Sequence, residues 1–315
     1  MSESSKPVIA IVGPTASGKS TLGIEVALKL NGEIINCDSV QVYQGIQIAT
    51  AKVPFEERKG IPHHLIDFVP PEVNYTAGEW AREAAIKIEE IEQRGRVPLL
   101  VGGTGFYLRA LRQPFFVSPQ TDETLRKRIS SIREQRGPEH LHRLLKRLDP
   151  AAADRFFPRD WPRVQRAIEV RLQTGQSIVD QLDQRPAAHE SALRLQIFTL
   201  NPDRTELYNR INLRAEAHFE QGLIEEVREL LARGVPSESN ALGAHGYRRV
   251  VEFLQEKRTL ASAIEQTKLD VRHYAKRQLT WFRREGGIEW IDGFGEESTV
   301  ISTVLDKIEG AVQPK

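Results

Sequence analysis

The residues with the clearest chemical potential form the run Gly13-Pro14-Thr15-Ala16-Ser17-Gly18-Lys19-Ser20. It satisfies G-x-x-x-x-G-K-[ST], a spacing at which glycines let successive backbone N–H groups converge on an anion. In that pattern Lys19 reaches a terminal phosphate and the Ser20 hydroxyl holds Mg²⁺. Such a loop specifies a diphosphate or triphosphate with its metal, and does not by itself specify a nucleotide. Asp38 directly follows the run EIINC, at the carboxyl end of a strand, where ligands of α/β sheets gather. A carboxylate there can touch the metal, accept a proton from a nucleophile approaching a bound phosphate ester, or cap the next element. Thr104 stands in the turn Gly102-Gly103-Thr104-Gly105 on the same edge, as a substrate-binding hydroxyl or a turn residue. Cys37 reads as a small buried residue, and His63 and His64 as hydrogen-bonding groups near the sheet edge, because no third ligand stands at metal spacing.

Positioning these groups requires strands that end where the loops begin. Residues 8–12 are apolar and β-branched, and Leu22, Val26, Ala27 and Leu30 then follow at helical spacing. Residues 33–37 and 97–101 read as further strands, the latter fully apolar as a buried parallel strand is, with a helix over 77–93 between them. This alternation predicts a parallel sheet covered by helices. A fourth strand, 193–200, follows a stretch of about 70 residues with helix-like segments and no convincing strand, too long for a plain connection. From Asp203 onward the chain is almost all helix-patterned, punctuated at Gly234, Gly243 and Gly286. The expected fold is α/β: a P-loop NTPase-like parallel sheet core (1–118), a mostly helical insertion domain (119–190), then a core strand with C-terminal helices and tail (191–315).

The composition narrows the setting. With 28% charged residues but a net charge of +1, a nucleic-acid partner must be met by a local basic surface and not by a global field. The single cysteine excludes an internal disulfide, no apolar run approaches the ~20 residues of a membrane span, and the polar MSESSKP is unlike a signal peptide. A soluble cytoplasmic protein is expected, and a monomer, since nothing suggests a coiled coil or a long apolar edge. The strand VPLLV ends in glycines without the metal-holding acid of motor-type ATPases, which argues against an ATP-driven machine.

Five segments together, GPTASGKS, DSVQVY (38–43), HHLID (63–67), GGTGFY (102–107) and AKRQLTWFR (275–283), resemble the tRNA dimethylallyltransferase family. They occur in the family's order across nearly the whole chain. The resemblance implies transfer of the dimethylallyl group of dimethylallyl diphosphate to N6 of the adenosine immediately 3′ of the anticodon, with tRNA as partner and Mg²⁺ as cofactor. It implies that Gly13 to Ser20 cradle the diphosphate, with Mg²⁺ at Ser20, and that Lys19, Arg214 and the base Asp38 act in catalysis. It implies tRNA contacts at Asp38, Ser39, Val40 and Gln41, at Thr104 and Arg126, at Pro162, Arg163, Val164, Gln165 and Arg166, and at Gly243, Ala244, His245, Gly246, Tyr247 and Arg248. Arg272, Lys276, Arg277, Arg283 and Arg284 read as cations along one side of a helix suited to backbone phosphates, with Trp281 in the core. A small-molecule kinase would share the cradle but leaves the GGTG turn and the insertion unexplained. A prenyltransferase of free adenine nucleotides needs neither the insertion nor the basic helix, and a non-catalytic RNA-binding module does not need Lys19, Ser20 and Asp38 together.

Overall fold

The computed structural model describes residues 7–113, 122–183 and 193–312. The chain divides into two compact units, Met1–Arg112 with Ala192–Lys315, and Gln113–Ser191. The expected boundaries at 118/119 and 190/191 lie outside the described residues, as does most of the N-terminal MSESSKP.

In the larger unit, β1 (Val8–Val12) and β4 (Val97–Gly102) are apolar runs, and with β2 (Gly32–Asn36), which also buries Glu33 and Asn36, they are covered on both faces, as parallel strands are when helices flank them. α1 (Lys19–Leu30) follows β1, and α2 (Ala77–Gln93) lies between β4 and the two-residue β3 (His63–His64). Thr76 and Glu79 form a complete capping box that starts α2 where the sequence places it. α3 (Gly105–Arg112) follows β4.

The smaller unit is helical: α4 (Glu123–Arg136), α5 (Pro138–Leu148), α6 (Pro150–Arg155), α7 (Trp161–Thr174) and α8 (Ile178–Asp183). Proline begins α5 and α6, where its missing N–H costs nothing, and Asp122 and Asp149 cap α4 and α6. Its core of its own contains Ile129, Leu141, Leu145, Val164, Ala167 and Ile168.

The chain then returns to the sheet as β5 (Leu195–Asn201), followed by α9 (Arg204–Glu220), α10 (Leu223–Ala232), α11 (Tyr247–Leu254), α12 (Leu260–Phe282), β6 (Ile288–Asp292) and α13 (Ser298–Val312). The sheet order is β3-β2-β4-β1-β5-β6, with every neighbouring pair parallel. One face packs on α1 and α13 through Ile11, Leu22, Val26, Phe198, Val300 and Val304. β6 corrects the expectation of helix beyond Asp203. It is an edge strand of which only Ile291 is buried, so it carries almost no apolar period, and pairing with β5 decides its state.

Candidate active site

β1 occupies the centre of the sheet, between β4 and β5, and the loop 13–18 leaves its carboxyl end directly into α1. Gly18, at φ 81°, is the N-cap of α1 and supplies no side-chain cap, so the first N–H groups of the helix remain available to an anion. Ala16 is held at φ 64°, an uncommon conformation for a residue with a Cβ, and its methyl packs against Leu207, Ile211, Ala275 and Phe294. The Ser17 side chain is fully buried, and its hydroxyl has no hydrogen-bond partner among the described residues.

A cavity of about 650 Å³ opens at this point, lined by Thr15 to Ser20 together with Asp38, Gln41, Arg214 and Gln278. Gly13 and Pro14 support it from behind: the Pro14 carbonyl accepts a hydrogen bond of 2.7 Å from the Lys19 ammonium. Arg214, on α9, donates to the Thr15 hydroxyl. Asp38 follows β2 by two residues, and its Oδ1 accepts the Val40 and Gln41 N–H groups at 2.9 and 3.3 Å. Oδ1 closes the turn, while Oδ2 accepts no hydrogen bond from the described residues.

The charged groups that act on Lys19 are the Asp38 carboxylate and the Arg214 guanidinium, while Glu25, Glu56, Glu57, Lys52 and Lys59 line the rest of the cavity. Burial lowers the Lys19 pKa to about 8; Asp38 opposes the shift and Arg214 adds to it. Arg214 is itself lowered by burial, with Asp38 opposing. His218, one turn beyond Arg214, is lowered to about 4 by burial and then by Arg214, so it is neutral at physiological pH. An anion entering the cavity restores to Lys19 and Arg214 the favourable environment that burial removed.

Val101 and Gly102 at the end of β4 also line the cavity, and the turn that follows them, with Thr104, lies behind that lining. The Thr104 N–H donates to the Cys37 carbonyl at 3.1 Å, and its hydroxyl accepts the Ser39 N–H at 3.0 Å. A Cβ on Gly102 would lie 2.1 Å from the Cys37 carbonyl oxygen, so the two loops meet this closely only with glycine there. Cys37 is fully buried, and burial raises its thiol pKa far above the usual range, which rules out an activated thiolate.

Sequence reasoning missed Gln278, although the run AKRQLTWFR contains it. Its side chain is 5% exposed and joins two loops: Oε1 accepts the Thr15 N–H and Nε2 donates to the Gly103 carbonyl, each at 2.9 Å. The signal was available as an amide inside a helical run of cations. Its meaning depends on where α12 lies.

The remaining expected positions divide. Gln41 donates through Nε2 to the Thr50 and Ala51 carbonyls, and Ser39 and Val40 are half-buried beside it. His64 pairs at 2.6 Å with the buried Glu33, which Arg94 also holds, and His63 bonds to the Ile61 carbonyl, so both serve the sheet edge. Arg126 grips Glu169 through two bonds of 3.0 and 3.1 Å, and Arg166 and Gln165 hold the same carboxylate. Val164 and Gln165 are buried in the helical unit, and Tyr247 is buried with its hydroxyl donated to Glu226. These three side chains pack inside their own units. Pro162, Arg163, Gly243 and Arg248 are exposed, and Ala244 and His245 half-exposed, while Gly246 is buried. The five expected cations do not share one helical side either: α12 ends at Phe282, Arg272 and Arg277 approach the Tyr208 and Tyr274 rings, and Arg283 approaches Trp290. Trp281 is half-buried between Gly105 and Arg109, whose guanidinium stacks on it at 3.9 Å.

A family model described as IPP transferase matches residues 41–285. The chain belongs to the IPP transferase family. It is 45% identical over 302 residues to a tRNA dimethylallyltransferase of Solibacter usitatus, covering 96% of this chain and 98% of that one. It is 44% identical over 305 residues to one of Carboxydothermus hydrogenoformans, covering 96% of each. Among solved structures it resembles a tRNA isopentenylpyrophosphate transferase of Bacillus halodurans, with TM-score 0.70 and 35% identity over 97% of this chain and 98% of that one. It also resembles a eukaryotic dimethylallyltransferase captured acting on tRNA, with TM-score 0.78 and 29% identity over 98% of this chain and 81% of that one. The two solved structures share the fold over almost the full chain, on both sides of the segment that the family model spans.

Proposed function

We infer that this protein transfers the dimethylallyl group of dimethylallyl diphosphate to N6 of the adenosine immediately 3′ of the anticodon in tRNA, releasing diphosphate. The observation that carries this reading is the meeting of Lys19, Arg214 and Asp38 at one cavity over the mouth of α1, in a chain of this family. The N6 lone pair forms a bond to C1 of the allyl group as the C1–O bond breaks, and the bonding pair leaves with the diphosphate. Backbone N–H groups of 15–20, Lys19 and Arg214 counter the charge that grows on the leaving oxygen. The unengaged Oδ2 of Asp38 takes the N6 proton. An exocyclic adenine amine is a poor nucleophile, so proton removal and placement both lower the barrier. The adenine must leave its stack to bring N6 to the cavity.

The donor set fits Mg²⁺. Ser20 brings a hard hydroxyl oxygen to the cavity, beside the place the diphosphate would occupy. That suits an ion that takes one or two protein oxygens and completes its shell from phosphate and water. When bound, it supplies neutralisation of the departing diphosphate. No helix among the described residues is long and apolar enough to cross a membrane.

The test incubates the protein with Mg²⁺, dimethylallyl diphosphate and unmodified tRNA bearing adenosine 3′ of its anticodon, then weighs the nucleosides after digestion. A gain of one dimethylallyl mass is expected, and Asp38→Ala is expected to slow it by roughly 10²- to 10⁴-fold. Turnover of free AMP with no gain on tRNA would overturn the reading.

A further inference from the structure

The loop after β6 lies against the back of the phosphate cradle. Gly295 donates its N–H to the Ser17 carbonyl at 2.9 Å. The approach is so close that a Cβ on Gly295 would stand 2.3 Å from the Gly18 carbonyl oxygen, and a Cβ on Gly18 would stand 2.7 Å from the Gly295 nitrogen. The loop is pinned in turn by α9. Arg210 is ion-paired with Glu296, and its guanidinium lies 3.5 Å over the Phe294 ring, which packs into the cluster that also seats Ala16. Arg210 stands one helical turn before Arg214, so a single helix anchors the loop and delivers the arginine that reaches Thr15.

We propose that residues 294–296 are a positioning element for the diphosphate, with Gly295 as its key residue; this rests on the diphosphate reading of the cradle. The peptide between Ser17 and Gly18 is planar and trans, so its carbonyl and its N–H point in opposite directions. Fixing the Ser17 carbonyl from behind by Gly295 therefore fixes the Gly18 N–H toward the opposite, cavity side. A loose peptide would have to be ordered by the anion, and that ordering would be subtracted from the binding energy. Only a residue without a side chain allows the two loops to meet so closely. The segment lies beyond residue 285, where the match to the family model ends, and no motif in the sequence singles it out.

The test compares Gly295→Ala and Arg210→Met with the unmodified protein. It measures calorimetric binding of inorganic diphosphate with Mg²⁺, KM for dimethylallyl diphosphate and for tRNA, and the melting temperature without ligand. Gly295→Ala is expected to weaken diphosphate binding and raise KM for dimethylallyl diphosphate by about tenfold or more, with KM for tRNA unchanged. Arg210→Met keeps an aliphatic cover over Phe294 while releasing Glu296, and is expected to weaken diphosphate a few-fold. It decides the matter if the alanine variant does not fold. Wild-type diphosphate affinity in a folded variant, or equal losses in both KM values, would overturn the proposal. Absence of diphosphate binding by the unmodified protein would instead overturn the reading of the cradle on which it rests.

Discussion

Lys19 carries the main electrostatic tension of the site. Its pKa of about 8 lies below the ordinary 10.5 because the ammonium is buried, and a diphosphate beside it favours the charged form. Below pH 8 the group is already protonated, and binding is independent of pH on its account. Above pH 8 the free protein loses the proton that the complex retains, so binding takes up a proton and affinity falls as pH rises. Calorimetry of diphosphate binding in buffers of different ionisation enthalpy should show this uptake above pH 8, and Lys19→Gln should abolish it along with most of the affinity. Asp38 behaves differently. One of its oxygens belongs to a turn, so Asp38→Asn is expected to preserve the loop and lower kcat by roughly 10²-fold or more, with KM for dimethylallyl diphosphate little changed.

At the scale of elements, α12 acts as a clasp more than as a basic stripe. Gln278→Ala leaves the Thr15 N–H and the Gly103 carbonyl without their partners in a buried place, a cost of about 2 kcal/mol. The expected outcome is a lower melting temperature together with a raised KM for dimethylallyl diphosphate. Unchanged values of both would show that the two loops hold their own shape. In the helical unit, Arg126 neutralises Glu169, whose side chain is 1% exposed. Hydrogen bonds from Arg126 hold the Glu169 pKa down against the opposing effect of burial, so this stabilisation is present above the ordinary carboxylate range and is lost as pH falls below it. Arg126→Ala is expected to destabilise that unit by about 2 kcal/mol, less than for a wholly unpaired charge because Arg166 and Gln165 remain. Loss of tRNA affinity with no change in melting would assign Arg126 to RNA contact alone.

At the scale of the whole molecule, each unit has its own apolar core, and the cradle belongs to only one of them. Diphosphate with Mg²⁺ at about a hundred times its Kd should stabilise the sheet unit by about 2.7 kcal/mol. Amide exchange should therefore slow in β1, β4 and β5 and stay unchanged in α4 to α7. Uniform slowing would show that the two units unfold as one.

Much of this was legible without coordinates. The order of strand and helix followed from apolar runs of strand length alternating with helical periods, because buried parallel strands and amphipathic helices must each satisfy a strict side-chain period. The phosphate cradle was legible because glycine, lysine and serine at those spacings favour, through local φ and ψ, a backbone turn that gathers N–H groups. Long-range approach decided the rest. β6 exists because β5 offers an open edge, Gln278 matters because α12 crosses two loops, and Gly295 matters because it touches Ser17. Val164 and Tyr247 face inward because of the helices packed on them. Each of these depends on residues brought together from distant parts of the chain, and no local pattern records such a meeting.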